Sequence, residues 1–288
     1  MITQTVFESE KEINRLQIQN EMLAEYENKG FGEIFKGKSD LCVLDIGCCD
    51  GEKTVSRFAN GAVSKVIGIE YNEEPLNKAR EERSNGKFSF CRLDVESDIF
   101  FDDLTEIMKY HKIDGFDVIY LSFVLMHLKN PVNLLKKLFP YIKNGGYIVI
   151  AEANENLTCL NPDKDKLCEK FVYMLGNDKY AGNRYLGEFL PEELVKRGYT
   201  ENSVWCNGVS AKKGEKDRKE KIFEIYFSYL PEDVKLLLSE EPNNAEYQKW
   251  SEWIQKNYGK LKAQIIDTDS EITMGIKIMS FKKGENNG

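Results

Sequence analysis

The sequence predicts a doubly wound α/β protein: a mostly parallel, seven-stranded sheet with a helical segment before it and a helical insertion ahead of the last strand. Three observations predict this. Short apolar runs alternate with amphipathic stretches from residue 41 to 154, and parallel strands need such crossover helices between them. The run LCVLDIG at 41–47 is apolar on both sides, as a strand covered on two faces must be. The chain closes on EITMGIKIMSFKK (271–283), which alternates as a strand does after a long helical stretch. That position predicts late strands added at a sheet edge.

Residues 8–27 place Ile13, Leu16, Asn20 and Leu23 at helical spacing, with charges elsewhere, so this segment is an amphipathic helix that packs on something. After the strand at 41–47 come a helix in EKTVSRFAN, the strand KVIGIEYN, a helix at about 74–84 and the strand KFSFCRLD. A helix over 100–112, the strand FDVIYLSFV, the helix PVNLLKKLFPYI, the turn NGG and the strand YIVIAEAN complete the alternation. Beyond residue 155 the pattern changes. LCEKFVYMLGNDKY, LPEELVKRGY and the stretch through QKWSEWIQKNYGKL read as helices, NSVWCNGVS as a short strand, and KKGEKDRKEK as a solvated hinge or exposed helix start. Tyr247, Trp250, Trp253 and Tyr258 recur at helical spacing, which suits core or dimer packing.

Bulk properties narrow the functions. The net charge of −8 argues against a broad phosphate-binding face and so against nucleic acid as partner. No apolar run approaches the roughly 18–20 residues that cross a bilayer, and MITQTVFESEKE shows no secretory signal. The seven cysteines are odd in number and scattered, which fits reduced thiols in a cytoplasm. With two histidines and no CxxC pair, no metal site is expected.

Ligands of open α/β sheets sit beyond the carboxyl ends of the strands. The first strand ends at Asp45 and Gly47, the second at Glu70, the third at Asp94 and the fourth near Ser122. Gly47 and Gly51 allow backbone conformations closed to other residues, and the helix after them offers free N–H groups. Three carboxylates around one crevice disfavour a phosphate. The frame Gly47-Cys48-Cys49-Asp50-Gly51-Glu52 lacks the G-x-G-x-x-G dinucleotide pattern, and no G-x-x-x-x-G-K-[ST] loop occurs. A cationic ligand with ribose hydroxyls and an exocyclic amine suits the acids better.

VLDIGCCDG, GIEYN, RLDVES, FDVIYLSFVLMHLKNP and NGGYIVIAE, in this order and spacing, resemble the motifs of class I S-adenosylmethionine-dependent methyltransferases. The resemblance covers residues 10–155 and, more loosely, the rest. It implies a domain plan of an N-terminal helical cap (1–35), a cofactor-binding Rossmann-like core (36–155), a mainly helical substrate cover (156–270) and a final edge strand of the core (271–283). It also implies that Gly47 and Gly51 let the loop pass under the methionine part of S-adenosylmethionine, while Asp45 orients the loop and helps hold the amino end. Glu70 would take the ribose hydroxyls, Tyr71 would lie beside the adenine, Asp94 would accept from the adenine amine with Val95 nearby, and Ser122 and Phe123 would line the sulfonium end. Gln19 of the cap would touch the cofactor.

Cys49 stands where the family usually has glycine, so the turn is expected to avoid a conformation costly for a residue with a β-carbon. His127 lies where a general base would serve a protonated acceptor. Arg184 and Tyr185 fall in the region where the family builds a substrate lid; Arg184 would pair with a substrate anion or with a structural carboxylate. The expected activity is methyl transfer to an oxygen or nitrogen of a small-molecule acceptor by a monomer or homodimer. Protein or RNA methylation, and a non-catalytic cofactor-binding scaffold, are the rivals. No N-P-P-[YF] tetrapeptide follows the fourth strand.

Overall fold

The computed structural model describes residues 10–284; the reading made of MITQTVFES lies outside them. The chain divides into two compact units. The sheet unit comprises residues 24–153, 186–206 and those from 277 on; the helical unit comprises residues through 23, 154–185 and 207–276. This grouping gives residues 186–206 to the sheet unit and splits the N-terminal helix, α1 (Glu10–Phe35), after Leu23.

Five parallel strands carry the sheet unit: β1 (Leu41–Ile46), β2 (Val63–Glu70), β3 (Phe88–Arg92), β4 (Phe116–Ser122) and β5 (Ile142–Ala153). Between them run α2 (Glu52–Phe58), α3 (Glu73–Arg83), α4 (Phe100–His111) and α5 (Pro131–Leu138). Local chemistry sets the helix starts. The Asn72 side chain accepts from the N–H of Glu74 to cap α3, and the Asn130 side chain accepts from Asn133 ahead of Pro131 to cap α5. Consecutive residues of β1 enter opposite apolar clusters. Leu44 and Ile46 join Ile67, Ile119 and Ile148 on one face; Leu41 and Val43 join Val66, Val118, Phe31 and Phe58 on the other. Burial on both faces is why this strand reads as a continuous apolar run.

The remaining strands are β6 (Cys159–Asn161), β7 (Tyr199–Ala211) and β8 (Glu271–Lys283), with α6 (Leu167–Gly176), α7 (Leu186–Val195), α8 (Lys216–Phe227), α9 (Leu230–Glu240) and α10 (Ala245–Ile266). Among the described residues the sheet has eight strands, in the order β3-β2-β1-β4-β5-β8-β6, and β7 also pairs with β8. The mostly parallel sheet flanked by helices is the expected fold, with the short β6 as one strand more than the seven expected. β6 is three residues long, too short to show a period of two. The strand order corrects the placement of 271–283 at an edge: β8 pairs with β5, β6 and β7. Its long buried run from Met274 to Phe281, interrupted only at Lys277, fits a paired interior strand. β7 is longer than NSVWCNGVS, and the basic run 212–221 enters α8 at Lys216.

In the helical unit the rings of Phe171, Phe223, Phe227 and Tyr258 pack together with centroids 5.0–6.4 Å apart. Trp250 is buried, and the Tyr258 hydroxyl donates to the Phe227 carbonyl, so the core reading holds for both. Lys219 is fully buried and donates to the Asp267 carbonyl and Ser270 Oγ. No helix among the described residues is long and apolar enough to cross a membrane.

In the sheet unit Phe31 meets Phe58, Tyr120 and Trp205 edge-on at 5.0–5.5 Å and is 1% exposed. Phe31→Ala leaves a cavity among these rings, and the expected loss of stability is about 3–5 kcal/mol, read from the guanidinium unfolding midpoint.

Candidate active site

The turn from β1 into α2 is built on left-handed backbone. Gly47, Cys49 and Gly51 have φ of 74°, 51° and 76°. A β-carbon on Gly47 would lie 2.4 Å from Val124 Cγ2, and one on Gly51 would lie 2.7 Å from the Phe90 ring. Glycine is therefore required twice, for conformation and for space. Cys49 contradicts the expectation that a residue with a β-carbon avoids such a conformation, which costs about 1–2 kcal/mol outside glycine. Its N–H donates to Glu70 Oε2 at 3.1 Å, and this bond holds the strained residue in place. Cys48 is buried, Cys49 is exposed and both are free thiols, so the pair serves as small residues in a turn.

Glu70 closes the same corner. Its Oε1 accepts from the N–H groups of Tyr71 and Asn72 at 2.9 and 2.8 Å. Those bonds occupy both lone pairs of Oε1, while Oε2 keeps one beyond its bond to Cys49. Burial raises the Glu70 pKa, and the three N–H donors counter it. The carboxylate thus retains acceptor capacity at the strand ends. Tyr71 is 64% exposed there, Asp94 is exposed with Oδ1 accepting from the Glu96 N–H, and Val95 is half-buried.

Asp45 is buried at the end of β1 and accepts from Thr54 Oγ1 at 2.6 Å. Burial pushes its pKa up to about 7, with Glu27 and Glu70 adding to the rise against Thr54 and Lys53. Ser122, at the end of β4, accepts from Lys53 Nζ at 2.6 Å. Phe123 follows with φ 55°, a conformation rarely held by a bulky residue, and its N–H donates to the Ala151 carbonyl. Strain of this kind concentrates at functional loops. His127 is exposed on the 3-10 turn Leu125–His127, which Glu152 holds by accepting from the Leu125 N–H at 2.8 Å.

A buried ionic cluster under this loop was not legible in the sequence. Glu27 is fully buried and accepts from Arg57 Nε at 2.7 Å, from Lys53 Nζ at 3.1 Å and from the Tyr120 hydroxyl. Burial pushes the Glu27 pKa up, but Lys53, Arg57 and Tyr120 overrule it and hold the group below its ordinary value. Helical spacing places Lys53 and Arg57 one turn apart on α2. Nothing local marks Glu27, more than twenty residues upstream, as their partner.

The structure therefore gathers Asp45, Gly47, Cys49, Gly51, Glu70, Tyr71, Asp94, Val95, Ser122, Phe123 and His127 in the sheet unit, at or just after the carboxyl ends of β1 to β4. Gln19, Arg184 and Tyr185 belong to the helical unit. Gln19 is buried and its Oε1 accepts from Arg15 Nη1 at 3.1 Å. Arg184 is buried in an ion pair with Glu155, and Tyr185 is 38% exposed with its hydroxyl against Gly176.

Residues 37–220 match the family model described as a methyltransferase domain. The chain belongs to that family. That family is the one the sequence motifs resemble, the class I S-adenosylmethionine-dependent methyltransferases, and the glycine turn and retained Glu70 acceptor fit a nucleoside cofactor. Its sequence is 29% identical over 171 residues to an uncharacterized methyltransferase of Schizosaccharomyces pombe, covering 57% of this chain and 60% of that protein. It is 27% identical over 126 residues to the ubiquinone biosynthesis O-methyltransferase of Nitrosomonas europaea, covering 43% of this chain and 48% of that one. With the tRNA U34 carboxymethyltransferase of Sulfurimonas denitrificans it shares 30% over 128 residues, 43% of this chain and 39% of that one. The chain thus spans 39–60% of the length of these relatives. A methyltransferase structure from Bacillus halodurans superposes with a TM-score of 0.54 at 17% identity, covering 89% of this chain and 98% of that one, which shows the fold.

The raised Asp45 pKa has a stability consequence. The native state holds this proton to about pH 7 while the unfolded chain releases it near pH 4, so stability from this group is full below pH 4 and lost as pH rises through 7. Asp45→Asn removes that fall, and the difference between variant and wild type in urea unfolding grows between pH 4 and 7. A constant difference across that window would refute the assignment.

Proposed function

We propose that this methyltransferase transfers the methyl group of S-adenosylmethionine to an oxygen or nitrogen of a small organic molecule. The observation that carries the cofactor half is the corner where Gly47, Cys49 and Gly51 leave space and Glu70 keeps a free acceptor position. In this reading Glu70 accepts from a ribose hydroxyl, Tyr71 lies along the adenine, and Asp94 with Val95 meets the exocyclic amine. Asp45 and the glycine turn face the methionine end, and Ser122 and Phe123 line the sulfonium end. Burying carboxylates there favours a ligand with positive charge, as the sulfonium and ammonium groups provide. Gln19 is proposed as a cofactor contact from the cap, and Arg184 and Tyr185 as acceptor contacts from the cover. Methyl transfer is an in-line displacement in which alignment and exclusion of water supply most of the rate. His127 is the proposed base for a protonated acceptor.

Two facts support a small acceptor: the −8 net charge, which disfavours a polyanion, and the likeness to an enzyme of ubiquinone biosynthesis. The likeness to a tRNA-modifying enzyme supports an RNA acceptor as the second reading. Free thiols at every described cysteine support residence in the cytoplasm. Calorimetric titration of the full chain with S-adenosylmethionine tests the cofactor reading, and absence of binding would sink it. Glu70→Ala is expected to weaken that binding by about 1–3 kcal/mol, roughly 5- to 150-fold, by leaving a ribose hydroxyl unpaired. Activity on tRNA with none on small hydroxyl or amine compounds would reverse the choice of acceptor.

A further inference from the structure

The helical unit contains donors that its own residues leave without acceptors, one of them a buried hydroxyl. Arg184 is 8% exposed, and Glu155 takes its Nε. No hydrogen bond is made by its two terminal nitrogens among the described residues. The Tyr229 hydroxyl is likewise buried without a partner. The guanidinium of Arg184 stacks over the rings of Tyr226 and Tyr229, 5.0 and 5.9 Å from their centroids. From α1, Arg15 approaches the Tyr229 ring at 5.3 Å.

The neighbours show that these orphans are not general looseness. Arg15 is saturated: Glu12 takes Nε and Nη2, and Gln19 with the Ile225 carbonyl takes Nη1. Tyr226 shares a 2.8 Å hydrogen bond with Thr158 Oγ1, and Thr158 Oγ1 lies 2.8 Å from Glu155 Oε2 as well. Asp178 and Asp233 are neighbours whose carboxyl pKa values burial raises, and one oxygen of each also lacks a partner. Around Arg184, then, Arg15, Tyr226, Thr158 and Glu155 are paired, while the guanidinium tip and the Tyr229 phenol are not. A buried unpaired donor costs about 1–3 kcal/mol, and a native structure keeps one where something else supplies the acceptor.

We propose that Arg184 and Tyr229 form a binding site for the carboxylate of a small organic acid. The planar guanidinium, fixed through Nε by Glu155, leaves its terminal N–H groups for the paired acceptors of a carboxylate. Tyr229 adds a neutral donor, since burial pushes its pKa up to about 12 and keeps the proton on. Two features favour a monoanion with an apolar body over phosphate. Glu12, Glu155 and the Asp178–Asp233 pair already bring negative charge to the neighbourhood, so a second charge on the ligand is disfavoured. The faces of Tyr226 and Tyr229 provide apolar surface beside the guanidinium. That the acid is the methyl acceptor rests on the function proposed above; the site itself does not.

The test is calorimetric titration of the full chain with acetate, phenylacetate and benzoate, with benzamide as the uncharged counterpart of benzoate and inorganic phosphate as the other oxyanion. At least one acid is expected to bind, with benzamide at least tenfold weaker than benzoate and phosphate not competing. Tyr229→Phe, which keeps the ring and its stacking, is expected to weaken the acid about tenfold. Arg184→Lys is expected to abolish binding; if it fails to fold because Glu155 loses its partner, Tyr229→Phe carries the test. Binding by no acid, equal binding of benzoate and benzamide, displacement by phosphate, or an unaffected Tyr229→Phe would each overturn the proposal. Titration with S-adenosylmethionine in the same preparation separates the two readings, because loss of the cofactor reading leaves acid binding unchanged.

Discussion

The site in the sheet unit depends on one constraint: a turn of left-handed residues must leave β1 without filling the space above it. Gly47 and Gly51 meet that constraint by lacking side chains, and Cys49 meets it under strain. The strain is sustained because Glu70, anchored at the end of the neighbouring strand, accepts the Cys49 N–H. Parallel pairing of β1 with β2, in register from Asp45–Gly68 to Ile46–Ile69, brings that carboxylate to the turn. A single acid therefore acts twice: it stitches the turn and keeps an acceptor position at the ligand-facing edge.

Charge burial follows a second logic. Glu27 and Asp45 are both buried carboxylates in the same unit, yet their pKa values move in opposite directions. Glu27 has two cations and a phenol as hydrogen-bonding partners, and these outweigh the loss of water. Asp45 has one hydroxyl partner and other carboxylates nearby, so burial prevails. Lys53 ties the two regions together, since its ammonium reaches Glu27 at 3.1 Å and Ser122 Oγ at 2.6 Å. The loop end of β4 is thereby coupled to α1 through one buried cation.

The helical unit treats polar burial differently again. Lys219, fully enclosed, is satisfied by a carbonyl and a hydroxyl from the segment after α10. Arg15 is satisfied almost wholly by its own helix and one carbonyl of α8. Against those cases Arg184 is held only through Nε, by Glu155, and the Tyr229 hydroxyl beside it has no partner.

By itself the sequence determined the alternation of strands and helices to residue 154, the glycine turn, and the carboxylates at the strand ends, because these follow from local periodicity and from backbone conformations that few residues accept. Strand order at the far side of the sheet was not local information. The three-residue β6 has no detectable period, and the interior place of β8 arises from pairing with segments distant in the chain. Tertiary structure alone decided the partners of the buried charges. Glu27 with Lys53 and Arg57, Arg184 with Glu155, and Asp178 with Asp233 meet only when separate elements pack. A side chain's burial and hydrogen bonds are set by neighbours distant in the chain, and no spacing rule along one segment encodes them.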